Sequence, residues 1–265
     1  MNEPSDPVRY DVTDCLATIT LNRPDALNSL DTATKEALRD AVTEAAGDDA
    51  VRCVLLTGTG RAFCVGQDLK EHVGLLQAGD GTLWQTVPEH YNPIALALST
   101  MPKPVVAAVN GVAAGAGAAF AMAADVRLVA ESAGFNLAFA GIALSCDSGS
   151  SWWLPRLVGT AKAKELLLLP RTVRAQEALS LGLATQVVPD DELAGRARDL
   201  AASLAAGPTA AYAAIRRAVA FSATHGLEES LANEADLMAR TGGTSDHGEA
   251  VAAFLEKRPP VFTGH

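Results

Sequence analysis

Basic residues, cysteines and uninterrupted apolar runs are all scarce in this chain. Its 265 residues include 21 lysines and arginines against 31 aspartates and glutamates, which gives a formal net charge of -10 at pH 7. An acidic chain gains nothing from the phosphate backbone of nucleic acid, and no local basic cluster reverses the balance. We therefore expect no nucleic-acid partner.

Cysteine is used sparingly and without pattern. The four cysteines are Cys15, Cys53, Cys64 and Cys146, and they show neither paired spacing nor companion histidines. This arrangement argues against a metal site and against structural disulfides. We expect no bound metal, and we place the protein in a reducing cytoplasm.

Signals for export or membrane insertion are missing as well. The segment Met1–Pro7 is acidic and lacks the apolar core of a signal peptide. The longest small and apolar stretch, Val105–Ala124, is interrupted by Asn110 and several glycines, so we interpret it as a strand, a turn and a buried helix. With 49% hydrophobic and 20% charged residues, the composition is that of a globular protein outside the membrane.

The first half of the chain alternates strand and helix signals, which predicts an α/β fold. The predicted strands are Val8–Tyr10, Leu16–Leu21, Val51–Thr57, Pro104–Val109 and Val126–Ala130. The predicted helices run from an Asp31 N-cap to about Ala46, and over Gln67–Gln77, Trp84–Thr100 and Ala116–Ala124. From Ser148 onward nearly every segment predicts helix, with Ala184–Val188 as the one strand. No low-complexity linker separates the halves.

Two glycine-bearing segments, Gly60–Leu69 and Asn110–Ala119, each follow an apolar strand and lead into a helix. Glycines at such turns allow backbone N–H groups to point into a cavity. Two converging N–H donors, one of them at a helix N-terminus, form an oxyanion hole. Taken singly, each segment is explained by turns and close helix packing as well as by an oxyanion hole.

Five stretches, in order, resemble the enoyl-CoA hydratase/isomerase (crotonase) superfamily. They are Leu21–Asn28, Arg61–Leu69, Met101–Gly111, Leu154–Gly159 and Gly248–Lys257. The resemblance implies a crotonase-like spiral of strand–strand–helix (ββα) turns over residues 1–200. It implies a helical C-terminal extension over residues 201–265 that serves trimerisation and the CoA pocket. Trimers or pairs of trimers are expected, with an acyl-CoA thioester as substrate, so that coenzyme A is part of the substrate and no separate cofactor is needed.

The same resemblance assigns roles to individual residues. It places the two backbone N–H groups that bind the thioester carbonyl at Gln67 and Ala116. The residues it implies for contact with coenzyme A and the acyl group are Arg23, Ala26, Leu27, Asp68, Leu69, Lys70, Gly115, Gly117, Phe139, Phe254 and Lys257.

The choice of chemistry rests on the carboxylates. Family hydratases use two glutamates, which would fall at Ala119 and at about Phe139, and neither of these side chains transfers protons. Asp147 stands where isomerases of the family carry their acid, and the surrounding sequence most resembles the ring-1,2-epoxyphenylacetyl-CoA isomerase branch. Cys146 replaces a proline common in that branch, and Ala119 replaces a polar residue.

We therefore expect an isomerase in which Asp147 shuttles a proton, with apolar walls such as Phe139, Trp152 or Trp153 raising its pKa. Asp147 could instead serve only as the N-cap of the helix that follows, or could act as a nucleophile, as in the related dehalogenase. An enoyl-CoA hydratase with one acid and a non-catalytic CoA-thioester-binding relative are the alternative functions. His90 is more simply a structural histidine than a base.

Overall fold

The computed structural model describes residues 6–265. Most of Met1–Pro7, the segment predicted not to be a signal peptide, therefore lies outside the described residues. Ten strands are present: β1 (Val8–Thr13), β2 (Leu16–Leu21), β3 (Cys53–Gly58), β4 (Ala62–Cys64), β5 (Val105–Val109), β6 (Val112–Ala114), β7 (Val126–Ala130), β8 (Gly134–Asn136), β9 (Thr172–Arg174) and β10 (Gln186–Val188). The α-helices of this region are α1 (Thr32–Gly47), α2 (Leu69–Gln77), α3 (Asn92–Thr100), α4 (Ala116–Ala123), α5 (Ser150–Val158), α6 (Thr160–Leu168), α7 (Ala175–Leu181), α8 (Leu193–Ala205), α9 (Thr209–Ser222), α10 (Leu227–Gly242) and α11 (Ser245–Glu256).

Two sheets organise the molecule. The larger has the order β1-β2-β3-β5-β7-β10, and all its pairings are parallel except the β1–β2 hairpin, whose turn lies at Asp14 and Cys15. The smaller has the order β4-β6-β8-β9. Strand β5 is buried along its whole length, as expected for a parallel strand covered on both faces.

Successive units contribute one strand to each sheet. Strands β3, β5 and β7 lie side by side in the larger sheet, and each is followed directly by β4, β6 and β8, which lie side by side in the smaller one. A helix follows each pair along the chain, so the repeating turn is ββα. The predicted spiral of ββα turns is confirmed.

Several predicted elements hold and several need correction. Asp31 is the N-cap of α1, because its carboxylate accepts from the Thr34 N–H at 2.9 Å. The continuous helix predicted over Trp84–Thr100 is wrong. The chain instead forms a short 3₁₀ helix, then a π-helical turn over Val87–Tyr91, then α3. Pro88 and Pro93 lack the N–H groups that a continuous α-helix needs there.

The second sheet is the part of the fold that the sequence did not reveal. Its four strands are three residues long, too short for an alternating pattern to show. One of them, β9, lies in the region predicted to contain the Ala184–Val188 strand alone, and that expectation is wrong. Strand β9 pairs antiparallel with β8 and closes the smaller sheet.

The C-terminal helices dock onto the core through two arginines. Arg52 donates to the Gly207 carbonyl, to Thr209 Oγ1 at 2.9 Å and to the Phe262 carbonyl at 3.1 Å. Arg216 on α9 pairs with Asp125 at 2.9 Å. Helix α8 crosses the boundary predicted at residue 200 and packs against the larger sheet. No helix within residues 6–265 is long and apolar enough to cross a membrane.

Candidate active site

Three loops that follow neighbouring parallel strands form the candidate site. The loop after β4 carries Gln67, the turn after β6 carries Gly115 and Ala116, and the longer segment after β8 carries Phe139 and Asp147. Because β4, β6 and β8 are adjacent and parallel, their carboxyl ends lie at the same edge of the smaller sheet. The topology therefore brings together three segments that are far apart in the sequence.

The backbone of Gln67 is held by Leu30. The Leu30 N–H donates to the Gly66 carbonyl at 2.8 Å, and the Asp68 N–H donates to the Leu30 carbonyl at 3.1 Å. In a trans peptide the C=O and the N–H point in opposite directions, so the Gln67 N–H points away from Leu30. Within residues 6–265 this N–H has no acceptor.

The second free amide is that of Ala116, the first residue of α4. Gly115 before it has φ of 51° and ψ of -124°, a conformation that disfavours any residue with a side chain. The Ala116 N–H also lacks an acceptor in the described chain, as helix-start amides do when no side chain caps them. A Cβ on Gly66 would lie 3.4 Å from the Ala116 nitrogen, so the two amides belong to segments in direct contact.

Close packing fixes the distance between these segments. Gly117 lies so near the end of β4 that an added Cβ would be 2.3 Å from the Cys64 carbonyl oxygen. Two asparagines, which the sequence analysis did not single out, stabilise the preceding turns. Asn110 donates to the Gly60 carbonyl at 2.9 Å, and the buried Asn28 donates to the Ala62 carbonyl at 2.8 Å. Two features of the sequence could have drawn attention to these asparagines: the Asn110-Gly111 pair, and the position of Asn28 at the end of the Leu21–Asn28 stretch.

Asp147 lies in the segment between β8 and α5 and is partly buried. Its carboxylate accepts from Ser148 Oγ at 2.8 Å, and burial raises its pKa despite that hydrogen bond. The N-cap of α5 is Gly149, and no side chain caps this helix. The interpretation of Asp147 as only an N-cap is therefore wrong, because its side chain accepts no bond from the helix backbone.

Tyr91 contacts the side chain of Gln67. Its hydroxyl donates to Gln67 Oε1. Burial raises the pKa of Tyr91, and the negative charge of Asp147 raises it further. Tyr91 went unnoticed because the sequence analysis weighed only the neighbouring His90. Burial and the charge of Lys35 lower the pKa of His90, and its Nδ1 lies 3.4 Å from Thr86 Oγ1.

The positions that hydratases of the resembled family use for acids are apolar and buried. Ala119 lies on α4 with no exposed surface, and Phe139 is 8% exposed. Neither can hold or move a proton. Trp152 and Trp153 line a cavity of about 1060 Å³ bordered by α3, α5 and α9, whose lining does not include Asp147.

The residues expected to contact coenzyme A fall into two groups. Arg23 and Asp68 pair with each other at 3.1 Å, and Arg23 also pairs with Asp31 at 2.9 Å. Burial alone would raise the Asp68 pKa, but hydrogen bonds, chiefly from Ser29, the Glu71 N–H and Arg23, hold it below its usual value. This cluster fixes the start of α2 to the turn that precedes α1.

The remaining expected contacts are less enclosed. Leu69 and Lys70 begin α2 and are exposed, and Leu27, which follows the short helical turn ending at Ala26, has φ of 54°. On α11, Phe254 is 80% exposed. Lys257 ends that helix and is exposed too. Neither side chain forms a hydrogen bond with the loops that carry Gln67 and Ala116 in the described chain.

Chemically, the loops at this edge of the smaller sheet offer two free amides and one carboxylate. Amides of this kind stabilise negative charge on an oxygen without reorganising, and a carboxylate with a raised pKa accepts and returns protons. No group of three or more histidine, cysteine, aspartate or glutamate side chains suited to a metal occurs in residues 6–265.

The chain is similar to known proteins over nearly its whole length. Residues 11–265 match the family model described as Enoyl-CoA hydratase/isomerase. A Rhodobacter capsulatus protein named "Probable enoyl-CoA hydratase" is 45% identical, covering 97% of this chain and 98% of its own. The 1,2-epoxyphenylacetyl-CoA isomerase of Escherichia coli is 42% identical, covering 93% and 94%. A solved structure from Mycobacterium abscessus superposes with a TM-score of 0.95 at 42% identity, covering 97% of this chain and 100% of that one.

Proposed function

Because the chain belongs to the enoyl-CoA hydratase/isomerase family, we propose that it isomerises an enoyl- or epoxy-acyl-CoA with Asp147 as the proton shuttle. The proposal rests on which positions of the site carry an acidic side chain and which do not. Both positions at which hydratases of the family would carry glutamates are apolar, while the carboxylate of Asp147 is partly buried with a raised pKa. One acid that first accepts and then returns a proton suffices for moving a double bond.

In this mechanism the thioester carbonyl accepts hydrogen bonds from the Gln67 and Ala116 amides. The Asp147 carboxylate removes a proton from the α-carbon of a 3-enoyl-CoA, and the electron pair of that C–H bond moves to the carbonyl oxygen. The resulting dienolate is stabilised by the two amides, which bind it more strongly than the neutral carbonyl. Protonated Asp147 then delivers the proton to the γ-carbon, which yields the conjugated 2-enoyl-CoA.

Enoyl-CoA hydration is the second candidate, because the relative from Rhodobacter capsulatus carries that name. Hydration adds the elements of water across the double bond, so one group must activate the water and one must supply a proton. In this chain Asp147 would have to perform both tasks. A non-catalytic protein that binds CoA thioesters is the third, and it needs the two amides but not Asp147.

Two thioesters separate these candidates. The wild-type protein is offered crotonyl-CoA and a 3-enoyl-CoA, and the absorbance of the conjugated thioester is followed. Isomerisation predicts a gain of absorbance from the 3-enoyl-CoA and little loss from crotonyl-CoA. Rapid loss from crotonyl-CoA would contradict the proposal, and an absence of turnover with every enoyl or epoxide thioester would favour the binding protein.

The role of Asp147 is tested by replacing it with alanine. The Asp147→Ala variant is expected to lose at least about a hundredfold in kcat while it keeps its affinity for coenzyme A thioesters. Asp190→Asn is the matched control, since Asp190 caps the Ser132 N–H on the outer surface. An Asp147→Ala variant with wild-type kcat would exclude Asp147 as the shuttle.

The proposed assembly is a homotrimer or a pair of trimers, held partly by the C-terminal helices. Large apolar side chains are exposed on α9, α10 and α11, among them Ile215, Val219, Met238 and Leu255. Exposed apolar faces of this extent usually belong to interfaces. Sedimentation of the full chain tests the proposal, and a monomer at micromolar concentration would contradict it.

A further inference from the structure

A buried lysine lies beside the loop that carries the proposed carbonyl-binding amide. Lys35 on α1 is only 2% exposed. Its Nζ lies 3.5 Å from Gln67 Oε1 and 3.8 Å from Glu71 Oε1. Burying an ammonium group is costly unless it is closely paired, and both of these contacts are long. The mechanism described above gives this charge no task.

The second buried lysine of the described chain shows the ordinary arrangement. Lys103 is 3% exposed, and its Nζ donates to the carbonyls of Ala45 and Asp48, both at 2.8 Å. Those bonds satisfy carbonyl groups at the C-terminal end of α1, where a cation is favourable. Lys103 therefore stabilises a helix end. Among the described residues Lys35 donates to no backbone carbonyl, and it lies near the side chain of Gln67 instead.

The side-chain oxygen of Gln67 is approached by two donors. The Tyr91 hydroxyl donates to it, and Lys35 Nζ approaches it from α1. An amide oxygen has two acceptor sites, so the Tyr91 hydrogen bond occupies one site and the longer Lys35 contact approaches the other. The backbone on either side of Gln67 is already bonded to Leu30. Gln67 is thus fixed both at its backbone and at the tip of its side chain.

Tyr91 contacts the other half of the site as well. Its ring packs edge-on against Phe120, with ring centroids 6.1 Å apart. Phe120 lies four residues after Ala116 on α4, so it lies on the same face of that helix. The π-helical turn that ends at Tyr91 places this side chain between the Gln67 loop and α4. One buried residue thereby contacts both segments that carry a free amide.

We propose that Lys35 and Tyr91 are positioning residues that clamp the side-chain oxygen of Gln67 and so hold its backbone N–H against the thioester carbonyl. The inference rests on the proposed placement of that carbonyl at Gln67 and Ala116. Neither side chain touches the reacting carbons. Loss of either donor frees one end of Gln67, and a displacement of about 1 Å at a catalytic contact reduces the rate by about a hundredfold.

The test combines kinetics with a spectroscopic measure of carbonyl polarisation. A chromophoric thioester, 4-dimethylaminocinnamoyl-CoA, absorbs further to the red when hydrogen bonds polarise its carbonyl. Its spectrum is recorded free and bound to wild type, Lys35→Met and Tyr91→Phe. Both substitutions are expected to reduce the red shift and to lower kcat for a 3-enoyl-CoA by about ten- to a hundredfold. KM is expected to change less than about threefold, because contacts with coenzyme A remain.

Matched controls remove a similar group elsewhere. Lys103→Met deletes the other buried ammonium, and Tyr10→Phe deletes a buried hydroxyl that has no partner. Both are expected to keep the wild-type red shift and kcat. Gln67→Met supplies the decisive background, since it removes the shared acceptor but keeps the backbone N–H. In that background Lys35→Met or Tyr91→Phe should change kcat by less than about twofold, as expected for groups that act as a unit.

The outcomes separate this inference from the proposed function. If the thioester bound to wild type shows no red shift, the carbonyl is not at the two amides and the proposed function is wrong. If wild type shows the shift and both variants retain it, the clamp is overturned while the proposed function stands. Full additivity in the Gln67→Met background would also overturn the clamp, because the two side chains would then act independently of Gln67.

Discussion

Replacing Gly117 by alanine tests whether the spacing of the two glycine segments matters for catalysis. The new Cβ would lie 2.3 Å from the Cys64 carbonyl oxygen and 2.9 Å from the Cys64 carbonyl carbon. Ordinary contact begins at 3.4 Å, so the two segments have to separate by about 1 Å. Cys64 belongs to buried strand β4 and has no room to retreat.

The expected magnitude follows from that displacement. Because Gly117 is next to Ala116, the separation moves one free amide away from the Gln67 loop. A shift of about 1 Å at a catalytic contact costs about a hundredfold in kcat/KM, or ~2.7 kcal/mol of transition-state stabilisation. Overpacking of the buried contact is expected to reduce the free energy of unfolding by about 1–3 kcal/mol.

The assay compares kcat/KM for a 3-enoyl-CoA and the thermal unfolding midpoint in Gly117→Ala and a control. Gly74→Ala is the control, since an added Cβ in the middle of α2 meets nothing within 4 Å. Alanine there is expected to stabilise the helix by about 0.5–1 kcal/mol and to leave kcat/KM unchanged. A folded Gly117→Ala protein with wild-type kcat/KM would refute the link between this contact and the amide spacing.

Three further predictions concern the carboxylates. Since burial raises the Asp147 pKa and its ionised form is the base, kcat/KM should fall tenfold per pH unit below that pKa; a profile flat down to pH 4 would contradict this. Because burial disfavours the ionised Asp147 carboxylate in the folded state, Asp147→Asn should raise the free energy of unfolding at pH 7 by ~0.5–2 kcal/mol. Denaturant titrations should show that this gain disappears below about pH 4. Hydrogen bonds to its carboxylate, chiefly from Ser29, the Glu71 N–H and Arg23, lower the pKa of Asp68, so they stabilise the fold above its unfolded pKa and this stabilisation is lost as the pH falls through the folded value. Asp68→Asn should therefore cost about 1–3 kcal/mol at pH 7 and nothing in strong acid, and an equal loss at both pH values would exclude the bonds to the ionised carboxylate as its cause.

The sequence was informative where the backbone conformation restricts which residue types are allowed. Gly115 requires a positive φ and Gly117 requires a close approach, and both needs restrict the residue type strongly enough to be visible in one sequence. Long buried strands such as β5 were visible for a similar reason, because both faces are covered and the run is uniformly apolar. These features indicated an α/β fold and an oxyanion hole, whereas the ββα spiral and the choice of the Gln67 and Ala116 amides came from the resemblance to the family.

The sequence was uninformative where the structure depends on contacts between distant segments. Strands β4, β6 and β8 have three residues each, and only their pairing with one another makes them strands. Lys35 gave no signal, because a lysine on an amphipathic helix normally reaches solvent, and its burial depends on the π-helical turn that packs against α1 and on Glu71 of α2. The π-helical turn depends on Pro88 and Pro93, and the prediction of one continuous helix over Trp84–Thr100 did not take these two prolines into account.

The topology also explains how one scaffold can support different acid–base chemistry. The two amides belong to the loops after β4 and β6, whose geometry is fixed by Leu30, Asn28 and Asn110. Asp147 belongs to the separate segment between β8 and α5, and none of those fixing bonds involves that segment. In the proposed mechanism, therefore, stabilisation of the enolate and transfer of the proton are structurally independent. Substitutions after β8 can change which carbon receives the proton while the carbonyl-binding amides keep their geometry.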